Sequence, residues 1–185
     1  GIKIRSEWYD AQCKKDKNNP RKIAENLDLD FANSGSSFIQ YEDIARMMKR
    51  NARPPDMWGQ LLVDSETLDC SFQGSESLDH SPFLMWTETG EDRRPPRGDY
   101  VIGVDIAAGT GGAFSSNSVF VIYNARTGKQ VARYSKRGIK PEPFCKIAAA
   151  AGKWFYEAMI APEAMGSVGK SFMDELRRIG YWNVY

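Results

Sequence analysis

The chain has 185 residues, 42% hydrophobic and 26% charged, a soluble composition long enough for one domain with a real core plus an appendage, which argues against disorder. Its formal net charge of +1 carries no global signature of nucleic-acid binding, so any phosphate contact must come from local patches. A single histidine, His80, and three scattered cysteines, Cys13, Cys70 and Cys145, argue against histidine triads, zinc clusters and disulfides, and leave carboxylates as the natural metal ligands.

In chain order, residues 6–16 hold Trp8, Tyr9 and Cys13 at helical spacing, and Asn18-Asn19-Pro20 ends that helix. A short second helix through Ile23, Ala24 and Leu27 follows, then an alternating strand over 27–31 with Asp28 and Asp30 on one face, closed by a Ser/Gly turn at 33–37. That acidic face could hold a cation, and reads first as solvated. Ile44, Met47 and Met48 mark an amphipathic helix over 41–50, whose tail of Lys49, Arg50 and Arg53 suits either a phosphate or the helix C-terminus. Strands are expected at 59–64 and 83–86, separated by an irregular polar connection over 65–81. The charged, Pro-containing stretch at 91–98 is the expected domain boundary, giving a linker or subdomain at 1–97 and a second domain at 98–185.

Residues 100–112 read YVIGVDIAAGTGG, a β-branched strand that carries Asp105 and then dissolves into glycine. A carboxylate there calls for a metal ion, a cationic side chain or backbone N–H groups, or it caps the following turn. Strands at 119–123 and 130–134 form a hairpin around Thr127-Gly128, making three consecutive antiparallel strands. An aromatic and alanine stripe over 141–157 predicts a helix packed on the sheet. The strand at 158–163 contains Pro162, which places Glu163 just beyond its paired part. A helix with Val168, Phe172, Leu176 and Ile179 on one face leads to a last strand at 181–185. Functional groups of open α/β sheets gather at strand ends, so Asp105 and Glu163 are expected to converge. Two close carboxylates are retained most easily by a divalent cation, and oxygen-only ligands favour Mg²⁺ or Mn²⁺ in phosphoryl chemistry. Lys136, Arg137 and Lys140 are expected in a basic loop after the hairpin, either solvated or against a DNA backbone.

The order of these motifs resembles the C-terminal nuclease domain of the large subunit of tailed-phage terminases. YVIGVDIAAGTGG, SNSVFVIY and ARTGKQVARY are similar to the family's first motif and hairpin, and FYEAMIAPE with Gly169 is similar to its second motif. Upstream, WYDAQC, IAENLDLDF and SGSSF resemble the segment leading from the family's ATPase domain. The resemblance implies an α/β, RNase H-like mixed sheet flanked by helices, with an N-terminal α+β linker segment. It also implies Asp105 and Glu163 as catalytic ligands of Mg²⁺ or Mn²⁺, double-stranded DNA as substrate, the terminase small subunit and the portal protein as partners, and the host cytoplasm as the site of action.

No G-x-x-x-x-G-K-[ST] loop occurs, so ATP is not an expected ligand. Met165 stands where the family often has Asn, and the family's third acidic ligand belongs to a helix later than Tyr185; Asp174 and Glu175 read as solvated surface. Weak metal binding and little cleavage are therefore expected of these 185 residues alone. The competing readings are a sugar-kinase or actin-like ATP-binding fold, permitted by the glycines at 109–112, and a non-catalytic module docking on DNA or the portal.

Overall fold

The computed structural model describes residues 6–19, 22–23, 27, 41–110, 115–163 and 165–185. The predicted acidic strand at 27–31 and the turn at 33–37 lie outside them, except for Leu27. The contacts divide the chain into two compact units, Gly1–Arg53 and Pro54–Tyr185.

In the first unit, α1 (Glu7–Lys15) starts where the Ser6 hydroxyl accepts the Tyr9 N–H at 3.1 Å, satisfying an otherwise orphaned helix donor. Cys13 is its buried residue. The predicted amphipathic helix is α2 (Tyr41–Asn51), with Ile44, Met47 and Met48 exposed.

The second unit is built on one seven-stranded sheet of β1 (Met57–Val63), β2 (Cys70–Gly74), β3 (Phe83–Met85), β4 (Tyr100–Asp105), β5 (Asn117–Asn124), β6 (Gln130–Arg137) and β7 (Met159–Pro162). The order across the sheet is β2-β1-β3-β6-β5-β4-β7. The run β4-β5-β6 is an antiparallel meander, as the hairpin chemistry predicts. From β6 the chain crosses over through α3 (Pro141–Trp154) to β7, which pairs with β4 in parallel. Then α4 (Gly166–Arg178) returns it to a single parallel bridge, Ile160 to Val184, where the last strand was expected. This meander followed by parallel additions beside its first strand is the RNase H-like mixed sheet.

Alternation decides which face is buried. Tyr100, Ile102 and Val104 of β4, Phe120 and Ile122 of β5, and Ala132 and Tyr134 of β6 point toward α3 and are buried. Phe120 stacks on Tyr134 at 5.1 Å and on Phe144 of α3 at 6.0 Å, and Phe144 in turn meets Phe172 of α4 at 5.9 Å. The aromatic chain thus ties sheet, α3 and α4 into one core, with aromatic pairs each adding about 0.5–1.5 kcal/mol beyond area burial.

Two expectations change. The polar connection at 65–81 contains β2, because the Asp64 carboxylate accepts the Glu66 and Thr67 N–H groups at 2.8 Å and turns the chain back onto β1. The expected boundary at 97/98 falls inside the second unit. Strands β1 to β3 continue the sheet from the edge of β6, and the 91–98 stretch is fastened to α3 instead of separating domains. Arg94 donates to the Lys153 and Trp154 carbonyls at the helix C-terminus, at 2.8 and 3.2 Å, and lies 4.5 Å over the Tyr156 ring. Trp154 Nε1 and the Tyr156 hydroxyl donate back to the Arg93 and Pro95 carbonyls. Charge and proline in this stretch therefore serve a helix C-cap.

Candidate active site

Asp105 is the last residue of β4, and Glu163 is the first beyond β7. The parallel register sets Gly103 opposite Ala161 and Val104 opposite Pro162, and the Glu163 N–H donates to the Val104 carbonyl at 2.9 Å. One further step sets Asp105 beside Glu163. Adjacent strands lie about 5 Å apart, so their backbones are neighbours. Period-two alternation also sends both side chains to the face opposite α3, with those of Val101, Met159 and Ala161. Both carboxylates are exposed. Sequence reasoning that places both acids at strand ends agrees with this placement; the common face required the register.

The loop after β4 is tethered at two points. The Ser118 hydroxyl, on a residue only 1% exposed, accepts the Ala107 N–H at 3.1 Å. Gly109 has φ +70°, and a Cβ there would lie 2.4 Å from the Ile139 carbonyl oxygen, so only glycine lets the loop pack against the start of α3. Beside Asp105 this loop lines a pocket of about 310 Å³ with Thr110, Ser115, Ser116 and Asn117. Among the described residues, Ser115 Oγ is buried there without a hydrogen-bond partner. Ser118 was not singled out from the sequence. Its available signal is a hydroxyl at a position whose alternation partners, Phe120 and Ile122, are core.

The basic residues do not form the expected loop. Lys136 and Arg137 are the last two residues of β6, facing opposite sides of the sheet by alternation, and only Lys140 follows the hairpin, as the residue preceding α3. Arg137 pairs across from Asn117, on the face that carries Asp105. Glu175 is not solvated surface: its side chain is 8% exposed, and Arg178 donates to both carboxylate oxygens at 2.6 and 2.7 Å. That hydrogen bonding holds its carboxyl below the ordinary glutamate pKa. Asp174 is paired with Lys170 and Arg177, and its carboxyl is likewise lowered, first by the Lys170 hydrogen bond. Neither acid joins the β4–β7 end. Among the described residues no group of three or more His, Cys, Asp or Glu side chains is arranged to hold a metal ion.

No family model matches the sequence, and no curated protein matches it. Among solved structures, the chain is similar in fold to crystal structures of the large terminase nuclease from thermophilic phage G20c. One is 18% identical over 66% of this chain and 57% of that one, with a TM-score of 0.45. The same nuclease with bound magnesium is 19% identical over 71% and 60%, and with bound zinc 18% identical over 66% and 62%, both with a TM-score of 0.46. The chain thus spans about three fifths of the length of these structures. Among the described residues no helix is long and apolar enough to cross a membrane.

Proposed function

We propose that this chain is nuclease-domain sequence from the large subunit of a phage DNA-packaging terminase, a metal-dependent endonuclease acting on concatemeric double-stranded DNA. The observation that carries the reading is the register that sets Asp105 and Glu163 side by side on one exposed face at the ends of parallel strands. Two oxygen donors of like charge at this separation suit a hard divalent cation, Mg²⁺ or Mn²⁺, which Asp105 and Glu163 would hold. Such a cation supplies Lewis-acid stabilisation of phosphate charge when bound.

The chain's own residues orient and restrict the site. Ser118 holds the backbone two residues after Asp105, Gly109 seats the loop on the start of α3, and Gly103, without a side chain, and Ala161, with only a methyl, leave space on the face behind the acids. Lys136, Arg137 and Lys140 are proposed DNA contacts, with Arg137 on the face of the acids. The small subunit, the portal protein and the host cytoplasm enter through the family resemblance alone. The same holds for residues before the nuclease core as a link to a packaging ATPase.

The test is cleavage of supercoiled plasmid with Mg²⁺ and with Mn²⁺ by the terminase subunit that carries this sequence, compared with Asp105→Asn and Glu163→Gln. Loss of cutting in both variants, with unchanged melting, is expected. Robust cutting by either variant would sink the assignment. Cutting by none of the proteins, together with stabilisation by ATP, would favour the kinase-like fold.

A further inference from the structure

The face of the sheet opposite α3 and α4 separates its charges by strand. Its negative groups are Asp105 on β4 and Glu163 just past β7. Its positive groups on the described strands are Arg133 and Arg137, both on β6. The residues between them on this face are uncharged: Val119 and Val121 of β5, with Asn117 and Ser135 joined by a 3.0 Å hydrogen bond.

Arg133 is the unusual member. It is exposed in the middle of the sheet, opposite Val121 on one side and Leu84 on the other. Among the described residues it has no ion pair or hydrogen-bonded side-chain partner. No Asp or Glu stands on β6 or on the adjoining strands β3 and β5.

Register places this arginine relative to the acids. Asp105 lies opposite Val119, and Val119 lies opposite Ser135. Arg133 and Arg137 therefore straddle the line through Asp105, each two residues to one side, about 7 Å along β6, and about 10 Å across two strand spacings. Their backbones are about 14 Å apart, near the rise of four nucleotides along one strand of a duplex.

We propose that this face binds the sugar–phosphate backbone of nucleic acid over β5 and β6, with Arg133 as a phosphate contact on one flank of the Asp105–Glu163 line and Arg137 on the other. The inference rests on the nuclease reading for its orientation, but its chemistry is separate from metal binding. Guanidinium groups match phosphate oxygens bidentately. The uncharged floor of valines, serine and asparagine lets a backbone approach without repulsion, and the acids stay at one end of the face. Contacts of this kind position the substrate without reading its sequence.

The test is fluorescence anisotropy of a labelled 20-base-pair duplex titrated with the full chain in EDTA across a salt series. The proteins compared are the wild type, Arg133→Ala, Arg133→Lys and, as a control, Arg126→Ala; Arg126 is exposed and paired with Asp99. The expected result for Arg133→Ala is several-fold weaker binding and a log K against log salt slope shallower by about 1. Arg133→Lys keeps the slope, and Arg126→Ala changes neither quantity.

Equal losses in Arg133→Ala and Arg126→Ala, an unchanged slope in Arg133→Ala, or no duplex binding by the wild type would each overturn the proposal. So would a loss of self-association, seen by sedimentation, with duplex binding intact, since that assigns the face to protein packing. Plasmid cleavage that needs Asp105 while Arg133→Ala binds normally refutes this inference alone. Arg133-dependent binding without any metal-dependent cutting refutes the nuclease reading alone.

Discussion

On the face of the sheet covered by α3 and α4, Phe83, Phe120, Phe144 and Phe172 are fully buried and in ring contact, whereas on the opposite face Asp105, Arg133 and Arg137 are exposed. Single strands carry both kinds of residue one position apart: on β6 the buried Tyr134, stacked on Phe120, follows the exposed Arg133, and on β4 the buried Val104 precedes the exposed Asp105. Period-two alternation lets a single strand carry a core aromatic and a functional charge without either compromising the other. The difference teaches that stability and chemistry can be perturbed separately here, by substituting neighbouring positions.

The largest effect should come from the buried face. Phe120→Ala removes the ring that stacks on Tyr134 and Phe144 and should cost about 3–5 kcal/mol in urea unfolding. A loss under about 1 kcal/mol would show that the two faces are not energetically distinct. Next, Asp105→Asn should weaken Mn²⁺ binding by about 100-fold or more, at or beyond the range seen for supporting residues of metal sites. Its urea midpoint should hold or rise, because removing one of two adjacent carboxylates relieves repulsion; a large drop would make Asp105 a structural residue.

Ser118→Ala lies between the two regimes, since Ser118 points into the core yet fastens the loop after Asp105. Leaving the Ala107 N–H without its acceptor should cost about 1–3 kcal/mol. Mn²⁺ affinity should fall with it; affinity unchanged at full stability loss would uncouple the loop from the acids.

The smallest effect should be the pH dependence of Glu175, which belongs to the stabilising side. Its folded pKa is lowered, chiefly by the Arg178 hydrogen bonds, so its contribution is fully present above the ordinary glutamate pKa. It is lost as pH falls through the folded value. Against Glu175→Gln, the wild type should therefore lose its advantage below about pH 4, measured as the difference in melting temperature across acid buffers. An advantage that persists at lower pH would rule out ion-pair stabilisation by Glu175.

Much of the second unit was legible because its signals are local. The β-branched run ending in Asp105, the Thr127-Gly128 turn and the aromatic stripe of α3 each follow from residues a few positions apart. Strand β2 was missed because its pattern, Cys70 to Gly74, is short and polar on alternate positions, and only its partner β1 makes it a strand. The 91–98 stretch read as a boundary because proline and charge usually mark linkers. Its arginine instead caps a helix some 60 positions away in sequence, which no local pattern encodes. Glu175 read as surface for the same reason: its burial depends on α4 packing against α3.

By itself the sequence determined the order of strands and helices around the acids, and that Asp105 closes one strand while Glu163 directly follows another, since hydrophobic periodicity, glycine and proline act over a few residues. Only the tertiary structure decided that β7 joins β4 in parallel, that the two acids share one face, and that Arg133 and Arg137 share it with them. Those facts depend on strand register, and a slip of one residue would send every side chain of the slipped strand to the other side.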